Sequence, residues 1–231
     1  MLPLEYHAYK AAEAENEPLE KHGERILELL QNKESELGEG RTANAHHGSS
    51  SDKVCYKIIP DVKSEFYDQG TFFTDVEGEA EFLESLQGLD ADVRVPKVYG
   101  TIAVHEPKRM DVLVMERLRA VSLKDVVEMK AALPESFELE SFFKKIQVFI
   151  DKMHKKGIYH RDLHEGNIMV DEESGNPYVI DFGSSKKLYF GEENPYVEVN
   201  ELRRKKMYFT DDLEFLKRVR KTVEDHIRLT K

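Results

Sequence analysis

From His160 to Gly183 the chain reads His-Arg-Asp-Leu-His-Glu-Gly-Asn, then two short apolar runs, then Asp-Phe-Gly. Ile168, Met169 and Val170 form the first run and Tyr178, Val179 and Ile180 the second. Both are rich in strand formers, which predicts a β-hairpin. A hairpin brings its own ends together. Asp162 and Asn167 stand before it and Asp181 after it, two carboxylates and an amide spaced around an apolar stretch. Such oxygen donors suit a hard cation, and a carboxylate among them can accept a proton.

The rest of the composition allows a packed enzyme. Hydrophobic residues make up 40% of the 231 and charged residues 34%, which is too apolar for a disordered chain and too charged for a membrane-embedded one. No apolar run approaches the ~20 residues of a spanning helix, and Met-Leu-Pro-Leu-Glu-Tyr at the start lacks the basic and apolar regions of a secretory signal. Cys55 is the single cysteine, so no disulfide can form within the chain, which fits a reducing compartment; cytoplasm, or a host cytosol, is expected. A net charge of -11 argues against general binding to nucleic acid or to anionic membrane. Arg203 to Lys206 and Lys217 to Lys221 are basic, and read as solvated faces.

The motif pair resembles the protein-kinase-like superfamily, whose catalytic loop reads H-R-D-x-x-x-x-N and whose metal-binding turn reads D-F-G. Asn167 falls five residues after Asp162, and Asp181-Phe182-Gly183 follows the predicted hairpin, both as in that pattern. The resemblance implies ATP and Mg²⁺ as cofactors. Asp162 would accept the proton of the attacking hydroxyl, and Asn167 and Asp181 would ligate the metal. His160 would serve as scaffold beside the metal-binding turn, with Phe182 packed against it.

Upstream, Val54-Cys55-Tyr56-Lys57-Ile58-Ile59 is an apolar strand with one cation in its middle. A lysine there needs a partner for its ammonium group. By resemblance Lys57 bridges the phosphates and a helix glutamate, with Lys53 as the fallback. In Val76 to Leu86 a turn of about 100° per residue puts Val76, Ala80, Leu83 and Leu86 on one arc and Glu77, Glu81 and Glu84 on another. Glu79 falls within the apolar arc, where an unpaired carboxylate is costly, and is selected as the partner of Lys57. Gly38 and Gly40 lie where the family has its phosphate-covering loop, although the third glycine of that pattern is missing. His46-His47-Gly48-Ser49-Ser50-Ser51 reads as a flexible hairpin tip. Val95 to Gly100 and Val112 to Met115 read as further strands, and Met115-Glu116-Arg117-Leu118 resembles the hinge. There Glu116 would offer its carbonyl and Leu118 its amide to adenine.

Leu139, Phe142, Phe143, Ile146, Phe149, Ile150 and Met153 keep a helical period that ends at Gly157. A last helix begins at Thr210-Asp211-Asp212, with Thr210 as its N-cap and Leu216, Val219, Val223 and Ile227 on one face. By resemblance Asp212 is the buried aspartate that braces the catalytic loop. Only 48 residues follow Gly183, and the family's large peptide-docking subdomain is not recognisable, as in RIO-type and small effector-type kinases.

The fold expected is α+β: a two-lobed protein-kinase-like fold with a small antiparallel-sheet N-lobe and a truncated, mainly helical C-lobe. Residues 1–33 are assigned to an N-terminal helical extension, 34–118 to the N-lobe and 119–231 to the C-lobe. The expected activity is transfer of the γ-phosphate of ATP to a protein Ser/Thr hydroxyl, with autophosphorylation, and Ser184, Ser185, Tyr189 and Tyr196 are the nearest acceptors. Expected partners are a protein substrate, which includes the chain itself, and an activating protein. Two alternatives stay open: a small-molecule phosphotransferase of the aminoglycoside- or choline-kinase kind, which His164 favours, and a nucleotide-binding module without turnover.

Overall fold

A computed structural model describes residues 4–8, 19–29, 36–39, 44–47, 53–60, 74–105, 110–187 and 211–230. The chain forms two compact units, one from Met1–Glu84 with Pro96–Leu118 and one from Ser85–Val95 with Arg119–Lys231. Among the described residues no helix is long and apolar enough to cross a membrane.

The first unit is built on a six-stranded antiparallel sheet of β1 (Leu4–Ala8), β2 (Glu36–Glu39), β3 (Asn44–His47), β4 (Val54–Pro60), β5 (Val98–Val104) and β6 (Met110–Glu116), in the order β1-β5-β6-β4-β3-β2. β4 and β6 pair over their whole length, from Val54 with Glu116 to Pro60 with Met110. Alternation along β4 sends Val54, Tyr56 and Ile58 into a core with Leu19 and Ile26 of helix α1 (Leu19–Leu29) and with Ile102, Val104, Val112 and Val114 of the neighbouring strands. Each such fully buried aliphatic side chain contributes about 1.5–3 kcal/mol. His22 of α1 adds a directional contact, since its Nδ1 lies 2.7 Å from the Tyr56 hydroxyl in the interior. Lys57, one residue on from Tyr56, therefore belongs to the other face of the sheet. Helix α2 (Val76–Leu86) spans the residues that the helical period marked.

Three expectations are corrected here. The segment read as a helical extension begins with strand β1, paired residue for residue with β5 from Leu4 with Val104 to Ala8 with Gly100. Its polar-apolar alternation, Leu4-Glu5-Tyr6-His7-Ala8, carries the signal, but five residues are short beside the helical run after them. His46 and His47 are not in a hairpin tip but in β3, opposite Tyr56 and Cys55. The strand read from Val95 starts at Val98 and runs on to Val104, since Val95 and Pro96 precede the ladder and Pro96 has no N–H to give it.

The second unit carries the predicted hairpin as β9 (Ile168–Asp171) and β10 (Pro177–Val179), with β7 (Ala120–Ser122) on the other side of β9. Gly175 closes its turn at φ 70°, and a Cβ there would stand 2.5 Å from the Ser136 carbonyl oxygen, so only glycine fits. Ser122 caps helix α3 (Leu123–Val127) by accepting from the Asp125 N–H at 3.0 Å. Helix α4 (Leu139–Lys155) buries Phe142, Phe143, Ile146, Phe149, Ile150 and Met153, and the chain leaves it at Gly157 with φ 74°. Strands β8 (Ile158–Tyr159) and β11 (Lys186–Lys187) pair on either side of the loop and hairpin. Helix α5 (Asp212–Thr230) buries Leu216, Val219 and Val223. Its cap is Asp211, whose Oδ1 accepts from the N–H groups of Leu213 and Glu214 at 3.1 and 2.9 Å; Thr210, expected in that role, lies outside the described residues.

Burial pushes the Cys55 thiol up to about 12, and the nearby Arg117 guanidinium offsets only part of this. At pH 8 such a thiol is about 10⁻⁴ ionised, so iodoacetamide is expected to label the native protein at least ~100-fold more slowly than the urea-unfolded chain. Equal rates would show that β4 does not bury this side chain.

Candidate active site

In the first unit the Lys57 ammonium bonds both carboxylate oxygens of Glu79, at 2.8 and 2.7 Å. The two side chains are 11% and 2% exposed, so neither charge is solvated well by water and each depends on the other. Lys53, the fallback, is exposed at the turn before β4, where its carbonyl oxygen accepts from the Arg117 N–H at 2.7 Å. Glu116 ends β6. Its backbone N–H donates to the Lys97 carbonyl at 2.8 Å, its carbonyl accepts the Cys55 thiol at 3.6 Å, and Leu118, two residues on, is half-buried. Gly38 sits in β2 opposite Ala45, next to an irregularity in the ladder, while Gly40 lies outside the described residues.

In the second unit one carboxylate organises the loop from His160 to Asn167. Asp212, at the first turn of α5 and wholly buried, accepts from the His160 N–H at 3.0 Å through Oδ2 and from the Arg161 N–H at 2.8 Å through Oδ1. His154 of α4 bonds the same Oδ2 at 2.9 Å and stacks on Tyr159. Arg161 takes φ 69°, a left-handed conformation that a residue with a Cβ adopts at a cost of about 1–2 kcal/mol. Held there, the chain turns so that Leu163 enters the core while Asp162 and His164 stay half-buried.

The loop is then tied to the residues after the hairpin. Asn167 donates through Nδ2 to the Asp162 carbonyl at 2.9 Å, and the Ile180 N–H donates to the Asn167 carbonyl at 3.0 Å. His160 reaches the Ile180 carbonyl through Nε2 at 2.9 Å, and its ring meets the Phe182 ring edge-on, with centroids 4.7 Å apart. Asp181 has φ 63°, with Oδ1 3.3 Å from the Gly183 N–H. Asp162, Asn167 and Asp181 are thus held by one hydrogen-bonded frame. Ser184 and Ser185, marked as acceptors, are each 6% exposed, and the Ser185 hydroxyl is turned to the His160 carbonyl at 3.5 Å. Tyr189 and Tyr196 lie outside the described residues.

The donor set would suit a hard divalent cation that shares its sphere with phosphate and water. No cluster of three or more His, Cys, Asp or Glu side chains able to hold a metal occurs among the described residues. One carboxylate and one amide oxygen, Asp181 and Asn167, are instead what a cation arriving with a polyphosphate requires. Because Asn167 donates with its amide nitrogen, its Oδ1 is the end left to act as ligand.

Two residues carry more than the sequence reading gave them. His154 was one polar position on a core helix. The i, i+3 neighbours cannot disclose it, because its partner is 58 positions away. Gly166 was simply part of the motif, yet its N–H bonds His164 Nδ1 at 3.0 Å and its lack of a Cβ makes room for that ring.

Residues 31–210 match the family described as protein kinase domain, which is well over half of the chain. The chain belongs to the protein kinase family. It is 31% identical over 157 residues to the serine/threonine-protein kinase pim-2 of Danio rerio, covering 65% of this chain and 50% of that one. To the CBL-interacting serine/threonine-protein kinase 16 of Arabidopsis thaliana it is 28% identical over 152 residues, 64% of this chain and 30% of the plant protein. A probable serine/threonine-protein kinase PknB of Bifidobacterium longum is 32% identical over 83 residues, 36% of this chain and 12% of its own. The chain thus spans half or less of the length of these relatives. The kinase fold is mixed α and β, with small antiparallel sheets and helices, as in the two units described above.

Asp212→Asn replaces one of two acceptor oxygens by an amide that faces a backbone N–H. It is expected to cost about 2–4 kcal/mol in urea unfolding. Asp211→Asn, one residue away, keeps the capping oxygen and should cost no more than about 0.5 kcal/mol. Equal losses at both sites would contradict the bracing role.

Proposed function

We propose that this kinase moves the terminal phosphoryl group of ATP, taken as its Mg²⁺ complex, to a serine or threonine hydroxyl of a protein, itself included. The observation that carries the reading is the frame around the loop. The Asn167 amide closes onto the Asp162 carbonyl, and the Ile180 N–H closes onto Asn167, one residue before Asp181. Three residues with oxygen-bearing side chains are thereby held close to one another.

Asp162 orients the acceptor hydroxyl. As that oxygen forms its bond to the γ-phosphorus, the bond from phosphorus to the β–γ bridging oxygen breaks, ADP departs, and the hydroxyl proton passes to the Asp162 carboxylate. Asn167 and Asp181 would hold Mg²⁺, which when bound offsets the charge that gathers on the phosphate oxygens. Lys57 steadies the phosphates, and Glu79 keeps the ammonium from wandering. The catalysis is positioning and charge neutralisation, with no covalent enzyme intermediate. The relatives, named as serine/threonine-protein kinases, favour serine and threonine as acceptors. A plant relative named for an interacting partner supports an activating protein as part of the proposal.

His164, where protein Ser/Thr kinases usually have lysine, favours the second reading, a small-molecule acceptor. Incubation with γ-labelled ATP, Mg²⁺ and a generic protein substrate, followed by phosphoamino-acid analysis, separates the two. Phosphoserine or phosphothreonine is expected, and Asp162→Ala is expected to lower its yield by about 10²- to 10⁴-fold. Label that stays off protein while free phosphorylated small molecules accumulate would replace this reading by the second one. Label unaffected by Asp162→Ala would remove Asp162 from the mechanism.

A further inference from the structure

Lys124 is the second residue of helix α3, whose apolar side, Leu123 and Val126, is buried. Its own side chain is exposed, and its stem lies against the loop that runs from His160 to Asn167: Cδ is 3.8 Å from the point where a Cβ on Gly166 would stand. The stem packs and the charged head is left to water. That ammonium makes no hydrogen bond or ion pair among the described residues. Glu128, the i, i+4 neighbour that helix geometry offers it, pairs with Lys130 at 2.6 Å, and Asp125 takes the Ser122 hydroxyl at 2.7 Å. Elsewhere in the second unit Lys145 bonds the Asn176 amide oxygen at 2.6 Å, Lys152 pairs with Asp90, and Lys156 bonds the Ser85 carbonyl at 2.8 Å. A cation is thus laid beside the loop without an anion, in a chain of net charge -11.

Its place decides what it can meet. Gly166 is followed by Asn167, whose amide closes onto the Asp162 carbonyl at 2.9 Å, so Lys124 adjoins the short stretch of chain that carries the proposed general base. An acceptor hydroxyl held at Asp162 belongs to a segment that continues past this stretch. At about 3.3 Å per extended residue, a side chain within roughly four positions of the acceptor can come beside the ammonium. Under the nucleotide reading the charge of ATP is met by the metal and by Lys57. The exposed cation is left for the protein substrate. A carboxylate beside it gains an ion pair, a neutral side chain gains nothing, and a basic one is repelled.

We propose that Lys124 is a specificity-determining residue for the protein substrate. Its ammonium pairs with the carboxylate of an aspartate or glutamate close to the acceptor serine or threonine, so that acidic segments are preferred. The proposal rests on the phosphotransferase reading above and names the substrate class of that same site. Lys124 takes no part in the transfer step. Because an exposed pair is weak, the preference is a bias and not a gate.

The test is a set of peptides with one serine among alanines and a single glutamate moved through the flanking positions, each beside a twin with glutamine in that place. With the full chain, ATP and Mg²⁺, the wild type is expected to show a kcat/KM about 3- to 5-fold higher for the glutamate peptide than for its twin at the position that meets Lys124, the scale of one exposed ion pair. Lys124→Ala is expected to melt at the wild-type temperature, to keep its KM for ATP, and to treat the twins alike. Lys124→Glu, given lysine at the same place in the peptide, is expected to restore the bias with the charges exchanged, which a merely structural lysine would not do. A wild type without bias, or a bias that survives Lys124→Ala, overturns the proposal. A KM for ATP that rises in Lys124→Ala while the glutamate bias persists assigns the ammonium to the nucleotide and overturns it too. Fluorescence anisotropy of the same peptides, labelled with fluorescein, reads binding without turnover. A glutamate preference in binding that Lys124→Ala removes, in a chain that transfers no phosphoryl group, upholds the proposal and overturns the phosphotransferase reading alone. Peptides neither bound nor phosphorylated overturn both.

Discussion

The buried carboxylate of Asp212 is the fixed point of the second unit. Two consecutive backbone N–H groups, those of His160 and Arg161, end on its two oxygens, and His154 shares one of them. A carboxylate without exposure is tolerable only when its lone pairs are occupied in this way. In return it holds the chain in the left-handed turn at Arg161, which otherwise would relax. Everything after that turn inherits its direction: Asp162 outward, Leu163 inward, His164 outward, and Asn167 back onto the Asp162 carbonyl. The helix α5 that supplies Asp212 is over fifty residues away in sequence, so the loop is rigid because of tertiary structure and not because of its own sequence.

The first unit solves a similar problem with a pair of opposite charges. Lys57 stands in a strand whose other face is a packed core, and Glu79 stands within the apolar arc of α2. Neither is stable alone in those places, and together they form a bidentate contact that fixes the ammonium. Exposed ion pairs elsewhere, such as Arg218 with Glu214, are worth little beside it, because water screens them and their side chains are free to part.

Much of this was legible in the sequence, for identifiable reasons. The hairpin was readable because two runs of strand formers flank a turn, and Glu79 because a carboxylate in an apolar arc demands a partner. The core of α4 was readable from its period, and Gly157 fits its end because glycine takes the positive φ there. What was hidden depended on contacts between distant residues or on very short elements. β1 has five residues and gains its stability from β5, which lies about ninety positions later. Thr210 and Asp211 are both good caps, and only the fold shows which side chain reaches the Leu213 and Glu214 amides. His164 looked like a mark of substrate class; its locked ring could not be inferred, since the space for it is set by the backbone at Gly166.

The function proposed for these residues is transfer of a phosphoryl group from ATP to a protein hydroxyl. Phosphorus NMR of ATP and Mg²⁺ with the purified chain and a protein acceptor tests it most directly. With such transfer the γ resonance of ATP disappears, ADP accumulates in step with a phosphate-ester resonance on protein, and both stop when the metal is chelated. An ATP spectrum that stays unchanged, or ADP that appears only with inorganic phosphate, would contradict it.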